Sequence, residues 1–159
     1  MDIISTLNVE ELRQRYEKTG YVVIQDLLRD EVAQAAYEAL KHRLPWEFHY
    51  REMNTGKVGV IDAADLERLT PREVKRLVPP MAALSDNDFS FAYCRFTIPS
   101  DADDCPEGAQ VLSHIFQYFN SQEYLEILAK ITGDDSGQEV STWCSRYDRN
   151  HHLSVHMDE

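Results

Sequence analysis

His156 and Asp158 stand two residues apart in the run S-V-H-M-D. On a β-strand that spacing turns both side chains to one face, with their roots about 7 Å apart. An imidazole nitrogen and a carboxylate oxygen placed this way can take neighbouring positions on one metal ion. A neutral nitrogen with an anionic oxygen, and coordination positions left over, suits Fe(II) held by two histidines and one carboxylate. The third ligand then has to come from elsewhere. The chain has 6 histidines and 28 acidic residues, and at that composition an H-x-D arises about as often as not by chance. The spacing alone therefore leaves an ordinary strand as an open reading.

The other histidines offer less. His152 precedes His156 by four residues and shares its face on a strand, too far along for easy chelation, so it reads as a packed or hydrogen-bonded histidine. His151 points the other way and reads as solvent-facing. His42, His49 and His114 have no ligand-like neighbours in sequence. The acidic run PSDADDCPEG lacks the spacing and turn glycine of a calcium loop and reads as solvated.

These residues need elements to hold them. Asn8 with Glu11 forms a capping box, and Gly20 supplies the stop, which predicts a first helix between them. YVVIQ (21–25) reads as a strand. The next helix is expected to bury Ala33, Ala36, Tyr37, Leu40 and Leu44. WEFHYRE and KVGVI, joined through N-T-G at 54–56, read as a hairpin. T-P-R-E at 70–73 opens a further helix that ends before Pro79 and Pro80.

FSFAYCRFTI (89–98) is the clearest strand, with apolar groups on both faces, and is expected inside the fold. Two amphipathic helices follow, with stripes Leu112/Ile115/Phe116/Phe119 and Tyr124/Ile127/Leu128/Ile131. Asn120 with Glu123 is expected to cap the second and Gly133 to end it. QEVSTWCSRYD (138–148) reads as a strand, D-R-N as a turn, and HHLSVHMD as the next strand. Strands in groups separated by helices give an α+β class.

From Phe119 the run FNSQEYLEILAKITG, a polar stretch, and STWCSRYDRNHHLSVHMD together resemble the Fe(II)/2-oxoglutarate-dependent oxygenases of the prolyl-4-hydroxylase type, most of all their bacterial and fungal branch. Arg146 and Tyr147 match that family's R-Y, Leu153 its leucine, and His156 and Asp158 its H-x-D metal ligands. The family's glycine falls at Asn150, a residue that tolerates left-handed turns, and its phenylalanine falls at His152. The likeness is close over the second half of the chain and extends to the first only in the order of elements.

The resemblance implies N-terminal helices supporting the first strands of a double-stranded β-helix, or jelly roll, within a single domain over 1–159. It implies Fe(II) at His156 and Asp158, 2-oxoglutarate as cosubstrate with Tyr147 lining its pocket, and hydroxylation of a prolyl or other amino-acid-like unit, free or in a peptide. In that family a later histidine and a basic residue complete the site, and no histidine follows position 156 here. The expectation is thus the N-terminal portion of a longer catalytic domain with an incomplete barrel, binding iron weakly and inactive as this chain alone. Assembly with a second polypeptide is a further reading. The alternative of another class is a non-catalytic binding or regulatory module using the rings of Trp46, Phe48 and Tyr50.

Composition sets the outer bounds. The 159 residues suit one domain, and 43% hydrophobic with 28% charged residues is ordinary for a globular chain. A net charge of -12 opposes binding to nucleic acid or an anionic membrane surface. No apolar run approaches a membrane span, and the start does not read as a signal peptide. Cys94, Cys105 and Cys144 form no C-x-x-C pair, which argues against a disulfide framework or structural zinc site and for the cytoplasm.

Overall fold

The computed structural model describes residues 2–52, 55–77, 89–149 and 151–154. They form helices and an open antiparallel sheet of five strands, which agrees with the mixed class read from the sequence. Two compact units result, each made from two stretches of chain: residues 1–44 with 98–142, and 45–97 with 143–159.

The first unit is helical. Helix α1 (Val9–Thr19) begins at Asn8, whose side chain accepts from the Glu11 amide, and ends at Gly20 in the left-handed region at φ 75°. Both ends match the capping signals in the sequence. The YVVIQ segment that follows is not a strand. Its residues keep the alternation, but Tyr21 and Val23 are exposed, and the only bridge nearby joins Ile4 to Leu28. β propensity needs a partner strand to act on, and none lies alongside among the described residues.

Helix α2 (Asp30–His42) buries Val32, Ala36 and Ala39, a face rotated from the expected one. The two alanines let α2 approach the later helix α5 closely, whereas Tyr37 turns outward beneath the Lys41 ammonium, 5.4 Å from its ring centre. Ala33 is exposed as well. Helix α5 (Gln110–Phe119) buries Leu112, Ser113 and Ile115, and α6 (Gln122–Thr132) packs on α1.

Asn120 does not cap α6. Ser121 does, accepting from the Tyr124 amide. Asn120 instead donates to the carbonyls of Phe116 and Val140 and accepts from the Val140 amide at 2.8 Å. It ties the end of α5 to the extended chain twenty residues on. The acidic stretch forms one short 3-10 turn, Ala102–Asp104, capped by the Asp101 side chain.

The second unit holds the sheet. Strands β1 (Glu47–Arg51) and β2 (Val58–Asp62) form the expected hairpin. Asn54 of its turn lies outside the described residues. Asp62 then caps a short helix α3 (Ala63–Arg68) that the sequence reading omitted. Helix α4 (Pro71–Leu77) opens with the expected reciprocal bonds between Thr70 and Glu73. Pro79 and Pro80 lie outside the described residues.

Strand β3 (Phe91–Thr97) is central, paired to β1 on one edge and to both β4 (Trp143–Arg146) and β5 (His152–Leu153) on the other. Its Ala92, Cys94 and Phe96 side is buried, while Phe91, Tyr93 and Arg95 are half-buried. Only four residues of the expected 138–148 strand enter the sheet. Of HHLSVHMD, the described part pairs only at His152 and Leu153.

Candidate functional site

The register along one edge of β3 determines what the second unit can present. Cys94 faces Arg146 and Ala92 faces His152. Two steps along β3 correspond to six along the other stretch, so four residues are extra and loop away from the ladder. D-R-N was expected as a turn before the next strand, and the described part agrees: a turn follows β4, and β5 comes next on the same edge of β3. Asn150 lies outside the described residues.

That insertion brings chemistry to Cys94. Its turn is closed by the His151 amide donating to the Asp148 carbonyl at 3.0 Å. Arg146 donates from Nε to Asp148 Oδ2 at 3.1 Å and from Nη2 to Cys94 Sγ at 3.6 Å. Its guanidinium lies 5.2 Å from the centre of the Trp46 ring. The His151 ring leans on Phe48 at 5.2 Å between centres. One donor atom each of Cys94, Asp148 and His151 falls within 4.8 Å of the others, the only such group of three among the described residues. Burial pushes the Cys94 thiol up, more than the Arg146 charge draws it down, so it is a neutral thiol at neutral pH.

Tyr147 leaves the sheet at the start of the insertion and stacks on Tyr93, with centres 5.3 Å apart and planes 25° from parallel. Half its surface is exposed. Burial of the remainder, with Tyr93 beside it, raises its hydroxyl above the usual value. It therefore stays a hydrogen-bond donor across the neutral range.

His152 is 4% exposed, and its Nε2 lies 3.0 Å from Ser90 Oγ, the hydrogen-bonded role expected for it. Its Nδ1 is buried without a partner among the described residues. The strands close around this pair: the Ser90 amide donates to Ser154 Oγ at 2.8 Å, and Ser154 donates back through its amide and hydroxyl. His151, expected on the solvent side, is half-buried instead.

Of the residues singled out from sequence, Tyr147 is placed as above, while His156 and Asp158 lie outside the described residues. The sequence reading missed Cys94, Arg146, Asp148 and His151 as a group. No spacing rule could have joined Cys94 to residues 52 or more positions away; only the pairing of β3 with β4 does so. The hairpin rings proposed as a docking surface are 6%, 1% and 7% exposed at Trp46, Phe48 and Tyr50. That burial weakens the reading of them as a docking surface. Among the described residues no helix is long and apolar enough to cross a membrane. Comparison with protein-family models, curated proteins and solved structures finds no match.

Proposed function

We propose that the chain contributes the first part of the active site of an Fe(II)- and 2-oxoglutarate-dependent dioxygenase that hydroxylates a prolyl or other amino-acid-like substrate. The observation that carries this reading is the H-x-D spacing of His156 and Asp158. His156 stands three positions in sequence after Leu153, a leucine that pairs with the central strand. The likeness of residues 119–158 to the prolyl-4-hydroxylase type supports it. An antiparallel sheet is also the layer from which a double-stranded β-helix is built, which supports the finer fold assignment.

In this reading His156 supplies the nitrogen ligand and Asp158 the oxygen ligand. The donor set, one imidazole and one carboxylate, fits Fe(II) with positions left for the oxoacid. Tyr147 fits its role on its own chemistry, since its ring is fixed by Tyr93 and its hydroxyl stays protonated and half open to solvent. It donates a hydrogen bond to an oxoacid oxygen. When bound, iron with 2-oxoglutarate supplies the oxidising chemistry that turns C–H into C–OH.

Anaerobic titration calorimetry with Fe(II) and 2-oxoglutarate tests this. Binding is expected, with loss in His156→Ala and Asp158→Ala and a weaker 2-oxoglutarate affinity in Tyr147→Phe. Iron affinity unchanged by both ligand substitutions would overturn the reading. The burial of Trp46, Phe48 and Tyr50 weakens the alternative of a non-catalytic binding module that uses them.

A further inference from the structure

We propose that Cys94, Asp148 and His151 form a site for a thiophilic divalent cation of the zinc and cobalt class, distinct from the proposed iron ligands and independent of them. Three donors bound tetrahedrally to one such ion, at about 2.0–2.3 Å each, stand about 3.3–3.8 Å apart. The three donor atoms here lie within 4.8 Å of one another, so side-chain rotations that draw them together by about 1–1.5 Å close the site. One thiolate, one imidazole and one carboxylate leave a fourth position for water or a ligand. The sulfur selects zinc or cobalt over calcium and magnesium, which prefer oxygen alone.

Two further features favour a cation here. His151 Nδ1 lies 3.4 Å from the Arg146 carbonyl. A carbonyl can only accept, so this contact places the proton on Nδ1 and leaves Nε2 as the basic nitrogen. Outer-shell contacts of this kind fix the tautomer of ligating histidines. Positive charge also already occupies the place, because the Arg146 guanidinium bonds both Asp148 and Cys94. A metal ion would take over those two partners. Arg146 would retain its stacking on Trp46, and Cys94 would release its proton to solvent. Arg146 is thus a resident competitor that weakens binding in the native chain.

The test is titration of the full, reduced chain with Co(II) alone under anaerobic conditions, followed by absorption. The expected result is one equivalent bound, a thiolate-to-cobalt charge-transfer band, and bleaching by Zn(II). Cys94→Ala should abolish the band. The exposed Asp148→Asn, which leaves the core intact, should weaken cobalt by about 10-fold or more, and Arg146→Gln should tighten it. Cys105→Ala and His156→Ala should change nothing. Absence of the band overturns the proposal, as does its survival in Cys94→Ala or an unchanged affinity in Asp148→Asn. A band lost in His156→Ala also overturns it and assigns the cobalt to the iron ligands.

Discussion

Ser90 and His152 depend on each other. Their side chains meet at 3.0 Å in a buried place, and the second imidazole nitrogen has no partner among the described residues. Removing one member leaves a buried polar group unsatisfied, at about 1–3 kcal/mol, whereas replacing both by apolar groups can be nearly neutral. Ser90→Ala alone should therefore destabilise by about that amount, and Ser90→Ala with His152→Phe by much less. Urea unfolding of the four proteins in a double-mutant cycle measures the difference; strictly additive effects would contradict the pairing. His152 was legible as a hydrogen-bonded histidine because its place on a strand prevents chelation. Its partner was not, since Ser90 is 62 residues away and carries no signal of its own. The Cys94 group was hidden for the same reason, and because a lone buried cysteine reads as a small hydrophobe.

Elements with chemical signals at their ends were the legible ones. Asn8 with Glu11, Thr70 with Glu73, and the left-handed Gly20 and Gly133 lie where local hydrogen bonding puts them. Elements whose form depends on a distant partner were not: 21–25 lacked one, and α2 rotated to seat Ala36 and Ala39. Asn120 shows both effects, since it stands one residue before the true cap and was taken by a tertiary bond. Ser121→Ala removes one capping bond and should cost about 1 kcal/mol. Asn120→Ala removes three bonds in two places and should cost about 2–3 kcal/mol at roughly 1 kcal/mol each. Thermal melts of the two variants give the order, and the reverse order would mean that the Asn120 bonds contribute less than the Ser121 cap. Gly59 carries another such demand, because a Cβ there would run into the Tyr50 ring packed over it, so the hairpin requires glycine at that position.

At the scale of the whole molecule, 28 acidic against 16 basic side chains leave a net charge of -12. The ion pairs among the described residues are mostly exposed and contribute little each. Self-repulsion is then the larger electrostatic effect on stability, and salt should relieve it. Raising NaCl from about 0.01 M to 0.15 M shortens the screening length from about 30 Å to about 8 Å and should raise Tm by about 2–4 °C, equivalent to about 1 kcal/mol. A falling Tm would instead mean that attractive pairs dominate. The fold class was legible at this scale, but the division into two units, each drawn from two separated stretches, was not, because no linker composition marks the joins at 44/45, 97/98 and 142/143. That division also sets an order in time. As the chain leaves the ribosome, β1, β2 and β3 can pair at once, but one edge of β3 must wait for the whole helical stretch 98–142 to be made before β4 arrives. During that interval the central strand is an unpaired edge beside the apolar residues Ala92, Cys94 and Phe96, open to any neighbouring chain. The order in which its elements are synthesised exposes this sheet to association with neighbouring chains until β4 and then β5, through residue 153, have emerged.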